Sequence, residues 1–173
     1  MAVENTDIQE KLIATFDSNV FNFHQDRDIF SLEINADINT AVILFLKNDP
    51  SLRFHFLTDL CGVHYPENEV NRQFAIVYHL HNWYDNKRIK IKAFINGTTP
   101  EIKTISNIFL SSNWMERETY DFYGVNFIGH PQLKRILNMD EMISFPMRKE
   151  FPLEDGGRTD KDDRFFGRTI DNC

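Results

Sequence analysis

Two runs of strict two-residue alternation constrain this chain more than any other feature. Phe74, Ile76, Tyr78 and Leu80 share one face of a strand, and Ile89, Ile91, Ala93 and Ile95 share one face of the next. Asp85-Asn86 lies in the connection, so the pair reads as an antiparallel hairpin. The opposite faces carry His79 and His81 on one strand and Arg88, Lys90 and Lys92 on the other. A sheet with one apolar and one polar face is covered mainly on one side. The rest of the chain must supply that cover.

Helices are available for it. Thr6-Asp7-Ile8-Gln9 has the form of a capping box with Thr6 as N-cap, and Ile8, Leu12, Ile13 and Phe16 follow as a helical stripe. Residues 20–23 read as a short strand. Phe30, Leu32 and Ile34 alternate with Ser31 and Glu33 in a second. A helix over 38–47 is apolar nearly all round and is closed by Asp49-Pro50. Residues 54–60 form a third strand candidate bounded by Gly62, before a polar loop at 65–71. After the hairpin, Asn96-Gly97 makes a break, and Pro100 suits the first turn of a weakly patterned helix over 101–109. Helix, two strands, helix, three strands, then helices is not a strict alternation. The expected fold is therefore α+β: two layers with a mixed sheet of about five strands. Residues 1–137 are expected to form the core domain, and 138–173 an extended C-terminal docking arm that cannot make a core of its own.

The densest chemistry lies in Asn113-Trp114-Met115-Glu116-Arg117-Glu118-Thr119-Tyr120-Asp121-Phe122-Tyr123-Gly124. Trp114, Glu118 and Asp121 fall at i, i+4 and i+7 on one helical face, with Arg117 between the acids. Met115, Thr119, Phe122 and Tyr123 form an adjoining face suited to packing inward. Gly124 suits the left-handed position that ends a helix. The charges read in two ways. They are a solvated face with weak intrahelical pairs, or an interface helix in which Trp, Tyr and Arg anchor a partner. Glu116, Glu118 and Asp121 also have the composition of an acid/base set, yet Arg117 among them favours ion pairing over tuned acidity.

Several classes of function are excluded or disfavoured. A net charge of −7 with dispersed basic residues argues against nucleic-acid binding. Cys61 and Cys173 are the only cysteines, so a four-thiolate cluster or zinc site cannot be built from this chain, and no disulfide framework is supported. The strictly apolar run at 41–46 is far short of the ~20 residues of a membrane span. Any membrane link is thus expected to pass through partners. His79 and His81 sit i, i+2 on a strand, but no third ligand is spaced to join them, and a polar sheet face explains them better than a metal. Neither nucleotide fingerprint occurs.

The helix and the segment after it resemble a known family. Trp114 to Val125, then Phe127, Gly129-His130-Pro131 and Leu133-Lys134-Arg135-Ile136-Leu137, are similar to the signature of the C subunit of respiratory complex I, the proton-translocating NADH:quinone oxidoreductase. Phe145-Pro146-Met147-Arg148-Lys149-Glu150-Phe151-Pro152-Leu153 resembles its downstream motif. Phe56-Leu57-Thr58-Asp59-Leu60 and Phe74-Ala75-Ile76-Val77-Tyr78-His79-Leu80 are similar to its strands. The departures are Ser144-Phe145 in place of a frequent Gly-His, Met147 for Leu and Glu150 for Asp.

The resemblance implies a non-catalytic subunit of the peripheral arm. Its members carry no catalytic residues and no cofactor of their own, the FMN, Fe-S clusters and quinone being bound by partner subunits. Those partners are the quinone-site subunit, which resembles a hydrogenase large subunit, and cluster-bearing neighbours. The start of the chain looks unlike a secretory signal or mitochondrial presequence. A bacterial complex on the cytoplasmic face of the inner membrane is therefore the expected setting. Trp114, Glu116, Arg117, Glu118, Tyr120, Asp121, Arg135, Arg148 and Lys149 are the expected subunit interface, with Arg117 locking the acids. Two other readings stay open: the equivalent subunit of a membrane-bound hydrogenase or ferredoxin-linked complex, and a free-standing enzyme using the Glu/Arg cluster.

Overall fold

The computed structural model describes residues 4–151. Helix α1 (Asn5–Phe16) leads into strands β1 (Val20–Asp26) and β2 (Ile29–Asn35), followed by helix α2 (Asn39–Asn48). Strand β3 (Phe56–His64) precedes the hairpin of β4 (Phe74–Asn82) and β5 (Lys87–Ile95). A short strand β6 (Glu101–Lys103), helix α3 (Ser112–Tyr123) and strand β7 (Asn126–Ile128) complete the regular elements. The main sheet has the order β1-β2-β5-β4-β3. Only β2–β5 is parallel within it, so the sheet is mixed and five-stranded, as expected.

Register shows why the alternation was so legible. Phe30, Leu32 and Ile34 lie beside Ile89, Ile91 and Ala93, which lie beside Leu80, Tyr78 and Ile76. These side chains form one face, and all are buried. Ile8 and Leu12 of α1 and Val42, Ile43 and Leu46 of α2 cover them. The buried Asn39 of α2 donates to the Tyr78 hydroxyl (3.1 Å) and to the Lys103 carbonyl (2.8 Å), tying the helix layer to the sheet. Burial pushes the Tyr78 phenol far above its ordinary range, beyond the opposing effect of Asn39.

Three local readings need correction. The first helix is capped at Glu4, whose N–H is accepted by the Asp7 carboxylate (3.4 Å), two residues before the Thr6–Gln9 box. Two carboxylates at that end also suit the helix dipole. Strand β3 does not stop at Gly62 but runs through it to His64. Residues 101–109 are not a helix. They open with β6, which pairs in parallel with β7, and the Pro100 carbonyl accepts the Asn126 N–H (2.8 Å). A distant partner strand overrode a weak local pattern there.

Gly62 explains how α3 reaches the sheet. A Cβ at this position would stand 2.8 Å from Thr119 Cγ2 and 2.9 Å from Tyr123 Cδ2. Gly62 is paired with Ile76, so α3 packs on the same face as the other helices, beside the edge strand β3. Gly62→Ala should lower stability by about 1–3 kcal/mol through overpacking at this contact. Urea denaturation of the purified chain measures it. An unchanged midpoint would mean that α3 does not press on β3 in solution.

Candidate functional site

Helix α3 carries its acids in two different ways. Glu116, Thr119 and Asp121 are buried, whereas Glu118 is exposed and Trp114 is 62% exposed. The helix ends as read from the sequence, with Gly124 in the left-handed region at φ 72° and its N–H bonded to the Tyr120 carbonyl (2.8 Å).

Asp121 is the hub. One carboxylate oxygen accepts the backbone N–H groups of Ile136 (3.0 Å), Leu137 (2.8 Å) and Asn138 (3.0 Å). The other accepts Arg135 Nη1 (2.8 Å) and the Asn138 amide (3.1 Å). Burial opposes ionisation, but the N–H groups of Asn138 and Leu137, the Arg135 guanidinium and the Ile136 N–H prevail. They hold the Asp121 carboxyl well below the usual carboxylate range. Arg135 then reaches onward. Its Nη2 donates to the Met142 (2.6 Å) and Ser144 (3.2 Å) carbonyls, and its plane lies over the Phe145 ring at 5.0 Å. A loop without regular structure is thereby fastened to α3 through one ion pair.

Phe145 closes the same joint from the other side. Its ring meets Tyr120 edge-on at 6.3 Å and lies under the Arg148 guanidinium at 4.7 Å. Arg148 Nε donates to the Tyr123 carbonyl (2.7 Å), and the guanidinium also lies over Phe74 at 5.1 Å. The Lys149 N–H donates to His64 Nδ1 (3.0 Å), bringing the downstream segment back to the end of β3. A Cβ on Gly124 would fall 2.5 Å from the Phe145 ring, so the glycine serves both the turn and the close approach.

Glu116 forms a second internal pin. Its carboxylate accepts the Thr104 hydroxyl and the Ile105 N–H (2.8 Å). Burial pushes its pKa up, against the lowering effect of Thr104, Ile105 and Ser112. His130 lies alongside, with Nε2 3.9 Å from the Glu116 carboxylate. The Gln132 N–H donates to His130 Nδ1 (3.1 Å), so Nε2 carries the proton and donates to the Asn113 carbonyl (3.2 Å). Burial lowers the His130 pKa, and the nearby Arg117 lowers it further, against the raising effect of the Asn113 carbonyl. The ring is a neutral crosslink between the β7 turn and α3.

These contacts place part of the expected interface inside the chain. Glu116 and Asp121 are fully inside this chain because Thr104, Ile105 and residues 135–138 wrap over them. Arg135 and Arg148 face inward with them. Arg117 does not lock the acids. Its Nε donates to the Lys134 carbonyl (3.1 Å) and its Nη2 to the Arg135 carbonyl (3.3 Å), and its plane sits over the Trp114 ring at 4.9 Å. Tyr120 is half-buried against Phe145, and Glu118 and Lys149 are exposed.

Beside Trp114 and Arg117 lies a depression of about 460 Å³ walled by Leu110, Asn113 and Pro131. Beyond Arg135, Leu137, Met139 and Ile143 stand out into solvent, Ile143 being 96% exposed. No periodicity marks these three in the sequence. Among the described residues no three acidic, histidine or cysteine side chains are grouped to hold a metal, and no helix is long and apolar enough to cross a membrane.

This frame of α3, the β7 turn and the downstream loop lies within a match, over residues 32–156, to the family described as respiratory-chain NADH dehydrogenase, 30 Kd subunit. The chain belongs to that family. It is 34% identical over 168 residues to the NADH-quinone oxidoreductase C subunit of Roseiflexus sp. (strain RS-1), covering 96% of this chain and 95% of that one. It is 38% identical over 143 residues to the second such C subunit of Rhizobium meliloti (strain 1021), covering 82% of this chain and 76% of that one. Two solved structures share the family fold. A trypsin-resistant fragment (1–134) of Nqo5 superposes with a TM-score of 0.61 at 22% identity, covering 75% of this chain and all of that fragment. A chain of the archaeal membrane-bound sulfane sulfur reductase superposes with 0.71 at 19% identity, covering 86% of this chain and 85% of that one.

Asp121 contributes to the fall of this family member's stability in acid. Its folded-state pKa is depressed, so its contribution is present above the unfolded value of about 3.9 and is lost as pH falls toward the folded value. Asp121→Asn should cost about 3–5 kcal/mol at neutral pH, since it leaves Arg135 buried without its counter-charge. It should also flatten the fall in stability below about pH 4. Urea unfolding over the neutral-to-acid range measures both.

Proposed function

We propose that this chain is a non-catalytic assembly subunit of the peripheral arm of a bacterial NADH:quinone oxidoreductase. It holds neighbouring subunits in register while electrons pass from NADH through FMN and Fe-S clusters, all bound by partners, to quinone. On this reading it sits on the cytoplasmic side of the inner membrane and meets the membrane only through those partners. The quinone-site subunit and the cluster-bearing subunits are the partners the family resemblance implies.

The observation that carries the reading is the division of labour in α3. The buried acids Glu116 and Asp121 fasten the loops, Arg117 lies half-buried over the Trp114 ring, and Trp114, Leu137, Met139 and Ile143 are left exposed. Trp and Arg are the side chains that anchor protein contacts, and a loop already held in one shape loses little entropy on docking. Among the described residues no carboxylate pairs with Arg117. Its charge is therefore available to a partner's acid. Glu118, Tyr120 and Lys149 complete the proposed contact surface. Glu116, Asp121, Arg135 and Arg148 act from beneath it by fixing its shape.

Arg117→Ala and Ile143→Asp should each reduce the amount of complex recovered with the tagged chain from mildly solubilised membranes. Both changes lie at partly or fully exposed side chains, so the isolated chain should lose no more than about 1 kcal/mol of stability. Co-purification of flavin, cluster and quinone-site subunits, with NADH:quinone activity, is the expected result for the unchanged chain. Normal complex abundance in both variants would sink the proposed surface. Co-purification of hydrogenase subunits in place of the NADH-oxidising ones would select the sister assembly.

A further inference from the structure

We infer that the outer stripe of α2 and the depression at the start of α3 form one docking groove. It fits a segment of a neighbouring protein chain that sets an apolar side chain on α2 and a carboxylate on Arg117. The inference deepens the reading of α3 as a contact surface and rests on it, but it adds an element, α2, to which that reading assigns nothing.

Helix α2 carries more apolar side chains than its own core uses. Every residue from Ala41 to Leu46 is apolar, so the helix is apolar round its circumference. Val42, Ile43 and Leu46 are buried in the core, and Phe45 meets Phe16 edge-on at 5.6 Å. Ala41 and Leu44 are left outside, Leu44 being 46% exposed. With Thr40 they make one stripe, which walls a depression of about 280 Å³ together with Ile108. Asn107 walls both this depression and the one beside Trp114 and Arg117, so the two adjoin. Leu110, which walls the second, is 87% exposed. Single exposed apolar side chains are ordinary, but an uncovered stripe that continues into a Trp–Arg pair has the composition of a contact surface.

The loop between the two helices is already fixed. The N–H groups of Ile108 and Phe109 both donate to the Ile105 carbonyl (2.8 and 2.9 Å). Lys47 Nζ donates to the Ile108 carbonyl (2.6 Å), and the Ser112 hydroxyl to the Phe109 carbonyl (2.9 Å). Docking need not create this shape.

Charge sets the polar end of the occupant. Among the described residues that wall the two depressions, Arg117 is the only charged one. Two loop carbonyls and the Trp114 ring orient its guanidinium, and its Nη1 makes no hydrogen bond among the described residues. The surrounding acids are placed elsewhere. Glu116 lies beneath, engaged by Thr104 and Ile105. Glu118 walls a separate depression with Asp59 and Cys61. Asp37 stands a turn before Thr40, beside Lys103, whose Nζ donates to its carbonyl (3.4 Å). A partner's carboxylate therefore meets an oriented and unpaired guanidinium.

A photo-crosslinking residue at position Leu44 of the full chain in its own cells, with a parallel strain carrying it at position Ile143, tests the groove. The expected adduct at 44 is with a peptide of a different protein that contains an Asp or Glu. Its yield should fall about tenfold in Arg117→Glu, where like charges meet. Changing that peptide's acid to Arg should restore the yield in Arg117→Glu, which a misfolded variant could not show. In the chain without Arg117→Glu, the yield should also fall as salt is raised before irradiation. An adduct at 143 with none at 44 would overturn the groove and leave the α3 reading standing, whereas no adduct at either position would retire both. An adduct at 44 with a second copy, with residues 152–173 of the same chain or with lipid would overturn the proposal. So would a yield indifferent to Arg117→Glu or to salt, or one that the charge exchange does not restore.

Discussion

The Asp121 carboxylate holds three backbone N–H groups, a side-chain amide and a guanidinium, and the outer part of the described structure depends on it. Residues 136–138 have no helix or strand to satisfy their N–H groups, and a single ionised side chain does so instead. Because Arg135 also bridges to the Met142 and Ser144 carbonyls, the fastening extends well past the helix. Charge-assisted bonds of this kind are short and directional, and in a dry setting they specify one arrangement of the loop. The Glu116 and His130 pin does similar work for the segment between β6 and α3. Its geometry differs because the imidazole is neutral, and there the crosslink is made by polarity alone.

Much of the fold was legible because one face of the sheet is apolar throughout, whereas the other mixes charged side chains with Ala75, Val77 and Phe94. Phe74, Ile76, Tyr78 and Leu80 had to point one way whatever the helices did, and β2 and β5 obeyed the same rule. The turn glycine at 124 and the inward face of Thr119 and Tyr123 were also legible, since both follow from helix geometry. The cap at Glu4 was missed because Thr6-Gln9 satisfied the same pattern two residues later. Residues 101–103 were missed because three-residue strands leave no period, and their pairing with 126–128 is set by tertiary context.

The site was legible in composition and less so in orientation. Residue spacing placed Trp114, Glu118 and Asp121 on one face of α3, correctly as geometry. It carried no information that residues 135–138 would fold over one end of that face and bury Asp121 while leaving Trp114 in solvent. Arg117 stands next in sequence to two acids yet bonds carbonyls, because loop carbonyls lacking partners compete for a guanidinium as effectively as a solvated carboxylate does. Phe145 stood out only as a departure from a family motif. In the structure it is the ring on which Tyr120, Arg135 and Arg148 converge, so an aromatic at this position substitutes packing for whatever polar contact another residue would make.

The parallel pairing of β2 with β5 has a consequence in time. Phe30 cannot find Ile89 until the second half of the sheet has been synthesised, while β1 and β2 can close into a hairpin at once. During translation that hairpin and α1 emerge with one apolar face uncovered and one strand edge unfilled. Long-range parallel pairing is slow to form, and half-built sheets are prone to stray association. Until β5 slots between β2 and β4, the β1–β2 hairpin and the β3–β4 pair on which α3 rests remain two separate halves of the sheet.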